Sequence, residues 1–276
     1  MNGRHVSWIA CAALTLASAS VYGAAAQRTF VASNGNDLNP CSIVQPCRSF
    51  GSAIAKTLSG GEVIVLDSAG YGTVTITQSV SITAPPGVYA GISVPAGQAG
   101  VTVSGAGIVV VLRGLTINGV GGNFGVHFTG SGSRLRIENC AVSGVASTGV
   151  AMDAVASELV ATDTIVRDNG GAGFALNVNA LMLLDGVRVE HNAGDGVLVF
   201  SDPAGTSATI RNSVLAYNGQ AGVTAFMPPS PATTRIVVEN SLLSHNSSDG
   251  ATVGGNTDGQ VIGVFSRNVK IGRAHV

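Results

Sequence analysis

An all-β fold, a right-handed parallel β-helix entered through a short capping helix, is the architecture that this 276-residue chain predicts. Three observations carry that expectation. The first is a pattern that recurs six times between Arg113 and Val253. A polar residue stands at Asn139, Asp163, Asp185, Asn212 and Asn240, with Gly114 in the earliest copy, and a glycine follows at Gly125, Gly149, Gly173, Gly196, Gly222 and Gly250. A second asparagine, at Asn169, Asn192, Asn218 and Asn246, precedes the glycine by four residues. Copies are roughly 22 to 28 residues apart, the range in which self-similarity signals a solenoid. The second observation is apolar alternation with period two, as in Leu135 and Ile137, Val150 and Met152, or Val197 and Val199, which marks short strands with one buried face. The third is composition: 38 glycines, 5% aromatic and 11% charged residues suit many strands punctuated by turns.

Strands this short are stable only when copies stack, which places equivalent residues about 4.8 Å apart. A buried asparagine can then share amide hydrogen bonds with its image in the next copy. The recurrent glycine suits a bend where a side chain would collide or φ must be positive. Inward positions should include Val150, Met152, Phe174, Leu176, Val197, Val199 and Val223. A left-handed coil would need a strict hexapeptide period, which this chain lacks.

Taken from the N-terminus, Arg4 and His5 precede an apolar stretch from Val6 to Ala19, and Ala24-Ala25-Ala26 forms a small-residue cleavage site. This reads as a secretory signal peptide, because the apolar run is short for a membrane span. No span is expected in the mature chain, and the expected location is periplasmic or extracellular. Cys41 and Cys47 bracket a short loop in which an oxidising compartment permits a local disulfide. Without neighbouring histidines they do not complete a tetrahedral metal site. Cys140 falls at an inward repeat position and reads as a small buried hydrophobe. Phe50, Ile54 and Leu58 share one face of a helix, Ser49 is its N-cap, and Gly60-Gly61 should end it. Such a helix would cover the open end of the coil.

Phe30-Val31-Ala32-Ser33-Asn34-Gly35-Asn36-Asp37-Leu38-Asn39-Pro40, followed by Gln45-Pro46-Cys47-Arg48-Ser49-Phe50, resembles the opening of bacterial secreted right-handed parallel β-helix proteins of the pectin lyase-like superfamily. Glu62-Val63-Ile64-Val65-Leu66 and Val74-Thr75-Ile76 resemble their first coil, and the likeness extends over nearly all of the mature chain. It implies the fold and leaves the activity open, because that superfamily includes lyases, hydrolases, epimerases and binding proteins. At the other end Asn268 begins a further copy, and Ile271-Gly272-Arg273-Ala274-His275-Val276 match a translation of ATC GGA AGA GCA CAC GTC. That string resembles the start of a short-read sequencing adapter, so the C-terminal end is expected to be truncated. The expected organisation is residues 1–26 as signal peptide, 27–60 as strand, cysteine loop and capping helix, 61–270 as coils, and 271–276 as a non-native tail.

The near-zero formal net charge of −1 gives no electrostatic case for nucleic acid. In the resembled superfamily, chemistry usually takes place outside the strand that follows the recurrent glycine. The outward positions there are His127, Ala151, Ala175, Leu198, Thr224 and Thr252, a row short of the carboxylates and bases that chemistry needs. His127 reads as an exposed strand residue. Asn256-Thr257-Asp258-Gly259 resembles an acidic motif of polygalacturonase-type hydrolases but falls at a turn position, and catalytic residues stay unassigned. Asn169-Gly170-Gly171-Ala172-Gly173 and Gly194-Asp195-Gly196 resemble calcium-binding repeats but recur at the coil spacing, so they read as turns, and no metal or cofactor is expected. The polar column Asp168, His191, Tyr217 and His245 reads either as solvated turn residues or as a binding site. Arg113 with Glu138, Arg167 with Glu190, and Arg211 with Glu239 are adjacent between copies and read as exposed ion pairs.

Three functional readings follow. The favoured one is an exported non-catalytic β-helix presenting a repetitive surface to polysaccharide or another cell-envelope component. The alternative is a polysaccharide lyase or glycoside hydrolase whose catalytic residues lie in a missing C-terminal part. Behind both stands an adhesin or secreted passenger fragment.

Overall fold

The computed structural model describes residues 25–200, 205–227, 233–255 and 260–267. The segment up to Ala24, read above as a signal peptide, the tetrapeptide Asn256–Gly259 and the tail from Asn268 onward lie outside the described residues. The chain winds through three parallel sheets in turn, returning to the first after every coil. Arg134–Glu138 lies in the first sheet, Ala141–Ser143 in the second and Val150–Met152 in the third, and Glu158–Thr162 then pairs on Arg134–Glu138. The sheets hold ten, eight and eight strands among the described residues. Each coil is a crossover between parallel strands of one sheet, and such crossovers are right-handed in nearly all proteins because strand twist favours that hand. This solenoid has that hand.

Alternate side chains of each strand fill the interior. Val110, Leu135, Leu159, Met182, Ala208 and Ile236 stack as one column, and Val101, Val126, Val150, Phe174, Val197 and Val223 as another, all buried. Met152, Leu176 and Val199 are buried beside them, so every inward position expected from the alternation points inward. Each valine, leucine, isoleucine, phenylalanine or methionine among them contributes about 1.5–3 kcal/mol by leaving water.

The longest run of buried polar side chains is a ladder of asparagines. The Asn169 side-chain amide donates to Asn192 Oδ1 at 2.8 Å, Asn192 to Asn218 Oδ1 at 3.0 Å, and Asn218 to Asn246 Oδ1 at 3.0 Å. The same oxygens accept the backbone N–H of Asn169, Asn192 and Asn218. The glycine column interlocks with this ladder. A Cβ on Gly173 would stand 2.3 Å from Val189 Cγ1 and 3.0 Å from Asn192 Nδ2, and Gly149, Gly196 and Gly222 meet the same kind of obstacle in the next coil. Collision between coils, not a positive φ, is therefore what requires glycine there. Gly100 extends the column one copy earlier. Cys140 is buried in a column with Thr164, Ser213 and Ser241, and its sulfur accepts the Leu115 N–H. Burial pushes its thiol up to about 11.

Three expectations need correction. The helix α1 spans Phe50–Ala55 only, after β1 (Ala26–Val31) and before β2 (Thr57–Val65). Ser49 caps it, and Phe50, Ala53 and Ile54 are buried. The Thr57 hydroxyl bonds Ala53 O and the Thr29 side chain, both at 2.7 Å, and Thr57 pairs with Ala26 in the sheet. That pairing draws the chain out of the helix, so Leu58 is exposed and Gly60-Gly61 belong to β2. The polar column of the first corner passes through Gly186 rather than Asp185. Asp185 is in register with Thr162 and Arg211, whereas Gly186 has the positive φ shared by Gly114, Asn139, Asp163, Asn212 and Asn240. Finally, Arg113 pairs with Glu138 at 2.6 Å, but Arg211 turns to Asp185, Arg188 takes Glu190, and Arg167 takes Asp168.

A disulfide joins Cys41 and Cys47, whose Cα atoms are 4.6 Å apart. Asp37, just ahead of this loop, reaches across to the entry of α1 and accepts the N–H groups of Arg48 and Ser49. Partial burial opposes charge on this carboxylate, but those hydrogen bonds outweigh it and hold it below the ordinary range.

Asn192 gives and receives ladder bonds on both sides, so Asn192→Leu should strand buried donors and acceptors and cost about 2–4 kcal/mol, read from chemical denaturation midpoints. A change below about 0.5 kcal/mol would show that the ladder is dispensable. Cys140, buried and scarcely ionised near neutral pH, should react with a thiol reagent orders of magnitude more slowly in the native protein than after unfolding.

Candidate functional site

Two outward-facing groups of side chains stand out from the ordinary surface. The first lies at the corner between the second and third sheets. Asp168, His191, Tyr217 and His245 each follow a strand of the second sheet, with φ of 56°, 55°, 57° and 55°. A left-handed backbone costs about 1–2 kcal/mol for an ordinary L residue. The conformation turns these side chains outward while the next residue, the ladder asparagine, turns in. All four are exposed, Tyr217 by 52%. His191 and Tyr217 stack with ring centroids 5.2 Å apart and planes 3° from parallel, and Tyr217 and His245 at 4.9 Å and 12°. Asp168 pairs with Arg167 at 3.3 Å. The structure thus brings His191, Tyr217 and His245 into one ridge, with Asp168 at its lower end.

The second group lies outside the third sheet. His127, Ala151, Ala175, Leu198, Thr224 and Thr252 are in register there, as the repeat implies. The sequence reading of His127 as a lone strand residue is incomplete. Its Nε2 lies 2.7 Å from Asp153 Oδ2, and its ring stacks on Phe124 at 4.5 Å. The other oxygen of Asp153 accepts from Asn177 at 2.8 Å. The His127 hydrogen bond, helped by Asn177 and opposed by partial burial, lowers the Asp153 pKa below the ordinary carboxylate value. Further along the same face, Phe200 and Phe226 stack at 5.8 Å, 40% and 43% exposed. Ala151 and Ala175, expected outside, are almost fully covered: the two short side chains are adjacent in register, with His127 on one side and Leu198 on the other.

Asp153, Asn177, Phe200 and Phe226 went unnoticed in the sequence because each lies two residues beyond the row of His127. Residues two apart in a strand share a face, so His127 meets Asp153 diagonally across one coil. That diagonal was the available signal. Asp195 serves the fold: buried, it accepts the Ala221 N–H at 3.0 Å and the Thr224 hydroxyl at 2.6 Å. Among the described residues no group of three or more His, Cys, Asp or Glu is placed to hold a metal ion. No helix of the described residues is long and apolar enough to cross a membrane.

Comparison with known proteins agrees with this architecture. Residues 99–266 match the family model described as a right-handed β-helix region. Among solved structures, pectate lyase Pel9A is similar at a TM-score of 0.64 and 18% identity, over 92% of this chain and 79% of that one. The complex of XylC with xylose is similar at 0.51 and 8%, over 90% and 71% of the two chains. A structure described as a glycoside hydrolase is similar at 0.51 and 9%, over 87% and 96%. At these identities the likeness is one of fold. No curated protein sequence matches the chain.

Asp153 generates a prediction with a definite sign. Its folded pKa is lowered, so the stabilisation it provides is fully present above the unfolded carboxylate value and is lost as pH falls through the folded one. In carboxyl NMR, its titration midpoint should lie below 3.8 and move upward in His127→Ala. A midpoint that ignores His127 would mean that the contact does not persist in solution.

Proposed function

The chain belongs to the right-handed β-helix family, and on that premise we propose that it is an exported, non-catalytic protein whose side surface binds polysaccharide of the cell envelope or its surroundings. The observation that carries this reading is the outer face of the third sheet. The stacked Phe200 and Phe226 offer solvent a half-exposed apolar patch, and Asn177, Asp153 and His127 stand one, two and three coils away with hydrogen-bonding groups. Sugar rings have apolar faces and polar rims, so an apolar aromatic patch beside polar groups is the chemistry that retains them. The three structures of similar fold are a pectate lyase, a complex with xylose and a glycoside hydrolase, all concerned with carbohydrate. Export is supported by the basic and apolar leader ending at Ala24-Ala25-Ala26 and by the Cys41–Cys47 disulfide, a bond of oxidising compartments.

The non-catalytic character of this reading rests on Asp153. Both of its oxygens are engaged and its carboxyl is held ionised, which suits a positioning group and not a proton donor. Hydrolysis of a glycosidic bond calls for two carboxyl groups in different protonation states across the scissile bond. One observation favours the alternative reading of a lyase or hydrolase. A carboxylate that bonds one ring nitrogen of His127 orients the imidazole, as a general base requires.

Retention on immobilised polysaccharides tests both readings. The protein should be retained on at least one of xylan, polygalacturonate and cellulose, about tenfold less in Phe200→Ala/Phe226→Ala at an unchanged melting temperature. It should release no reducing ends or unsaturated products. Turnover that disappears in His127→Ala would establish the enzyme instead.

A further inference from the structure

The solenoid has two corners at which a residue of positive φ recurs in every late coil, and the two are filled differently. Between the first and second sheets the residues are Gly114, Asn139, Asp163, Gly186, Asn212, Asn240 and Arg267, all but the last of types that tolerate this backbone best. Between the second and third sheets, Gly144 is followed by Asp168, His191, Tyr217 and His245. Histidine is tolerated moderately in this conformation, and tyrosine poorly. The same turn geometry that accepts asparagine at one corner thus holds three successive rings at the other. Strained residues that the fold does not require are found where a side chain has a task.

The rings also show how a ligand would meet them. Because they stack along the solenoid axis, neighbours cover their faces, and what solvent meets is a line of edges: imidazole, phenol, imidazole. These edges donate and accept hydrogen bonds at the spacing of the coils, about 4.8 Å. The charges beside them are already matched, Arg167 with Asp168 and Arg188 with Glu190. Alongside lie the small residues Gly170, Gly171, Ala193, Gly194 and Gly219, with the exposed amide of Gln220 in register with Gly194.

We infer that the His191–Tyr217–His245 ridge is a second binding edge, separate from the third-sheet face, for an uncharged linear glycan lying parallel to the solenoid axis. An extended peptide presents like-facing side chains only every 6–7 Å or so, out of step with the coils. A polyanion would find no unmatched positive charge among the arginines beside the ridge. A linear glycan offers hydroxyls on every ring, close to the coil spacing. The inference rests on the carbohydrate reading above but on different residues.

The test is titration of the full chain with cellohexaose, xylohexaose and mannohexaose, and with hexagalacturonate as the charged counterpart, followed by calorimetry. At least one uncharged hexamer should bind, and its trimer should bind at least about tenfold more weakly. Tyr217→Phe, which keeps the ring and removes the hydroxyl, should weaken binding about fivefold, as expected for one lost hydrogen bond. Tyr217→Gly should weaken it at least tenfold while the melting temperature stays level or rises, since glycine relieves the strained φ. Unchanged affinity in both Tyr217 variants, a clear preference for hexagalacturonate, or a fall in melting temperature above about 5 °C in Tyr217→Gly would overturn the inference. If Phe200→Ala/Phe226→Ala alone abolishes binding, the ridge is refuted and the third-sheet face stands. If no hexamer binds the native chain, while the polysaccharide columns still retain it, the ridge alone is refuted.

Discussion

Every coil of this protein rests on a near copy of itself, one strand spacing away, and each side chain must therefore be compatible with its own image. Apolar side chains meet the condition easily, as the column from Val110 to Ile236 shows. A charge repeated in every coil cannot meet it, because it would face a like charge about 4.8 Å distant with little solvent between, and the buried Asp195 has Ala172 and Ala221 as its images. A buried amide can, because it carries donor and acceptor together. Asn169, Asn192, Asn218 and Asn246 exploit that property, each amide in the series donating to the next. Serine, threonine and one cysteine satisfy the other corner by accepting a backbone N–H from the adjacent coil.

The same condition governs what is left out. Gly149, Gly173, Gly196 and Gly222 leave room for the asparagine amide and the neighbouring atoms of the next coil. Over these coils the amide ladder and the glycine column are therefore one device. Outside the coil the condition relaxes, because water screens charges and long side chains can turn aside. Arg211 accordingly reaches back to Asp185, and His127 reaches across to Asp153. Variation concentrates on these outer rows, and so do the features that could recognise a partner.

This division explains what the sequence discloses. Strand positions, inward residues and the two interior columns were legible because self-stacking forces identical chemistry at a fixed interval. Asp185 misled because it is polar and lies one residue from the true corner, and only the strand register separates it from Gly186. The end of α1 was misjudged because Leu58 continues a helical face, whereas pairing of Thr57 with Ala26 depends on a strand some thirty residues earlier. Of the outward features, the ridge was visible as a column of unusual residues. The contact of His127 with Asp153 was not, since it runs diagonally and recurs nowhere else along the described face. A singular contact leaves no period to read.

Winding also separates two kinds of bond by direction. The covalent chain runs around the girth of the solenoid, while the hydrogen bonds of all three sheets and of the asparagine ladder run along its length. The disulfide between Cys41 and Cys47 closes a loop within the N-terminal segment and crosses no coil. Mechanically the molecule is therefore anisotropic. Hoop stress is resisted by peptide bonds, whereas axial tension falls on non-covalent contacts that can give way coil by coil. A ligand that spans several coils on the outside would act as an external tie along the weak axis.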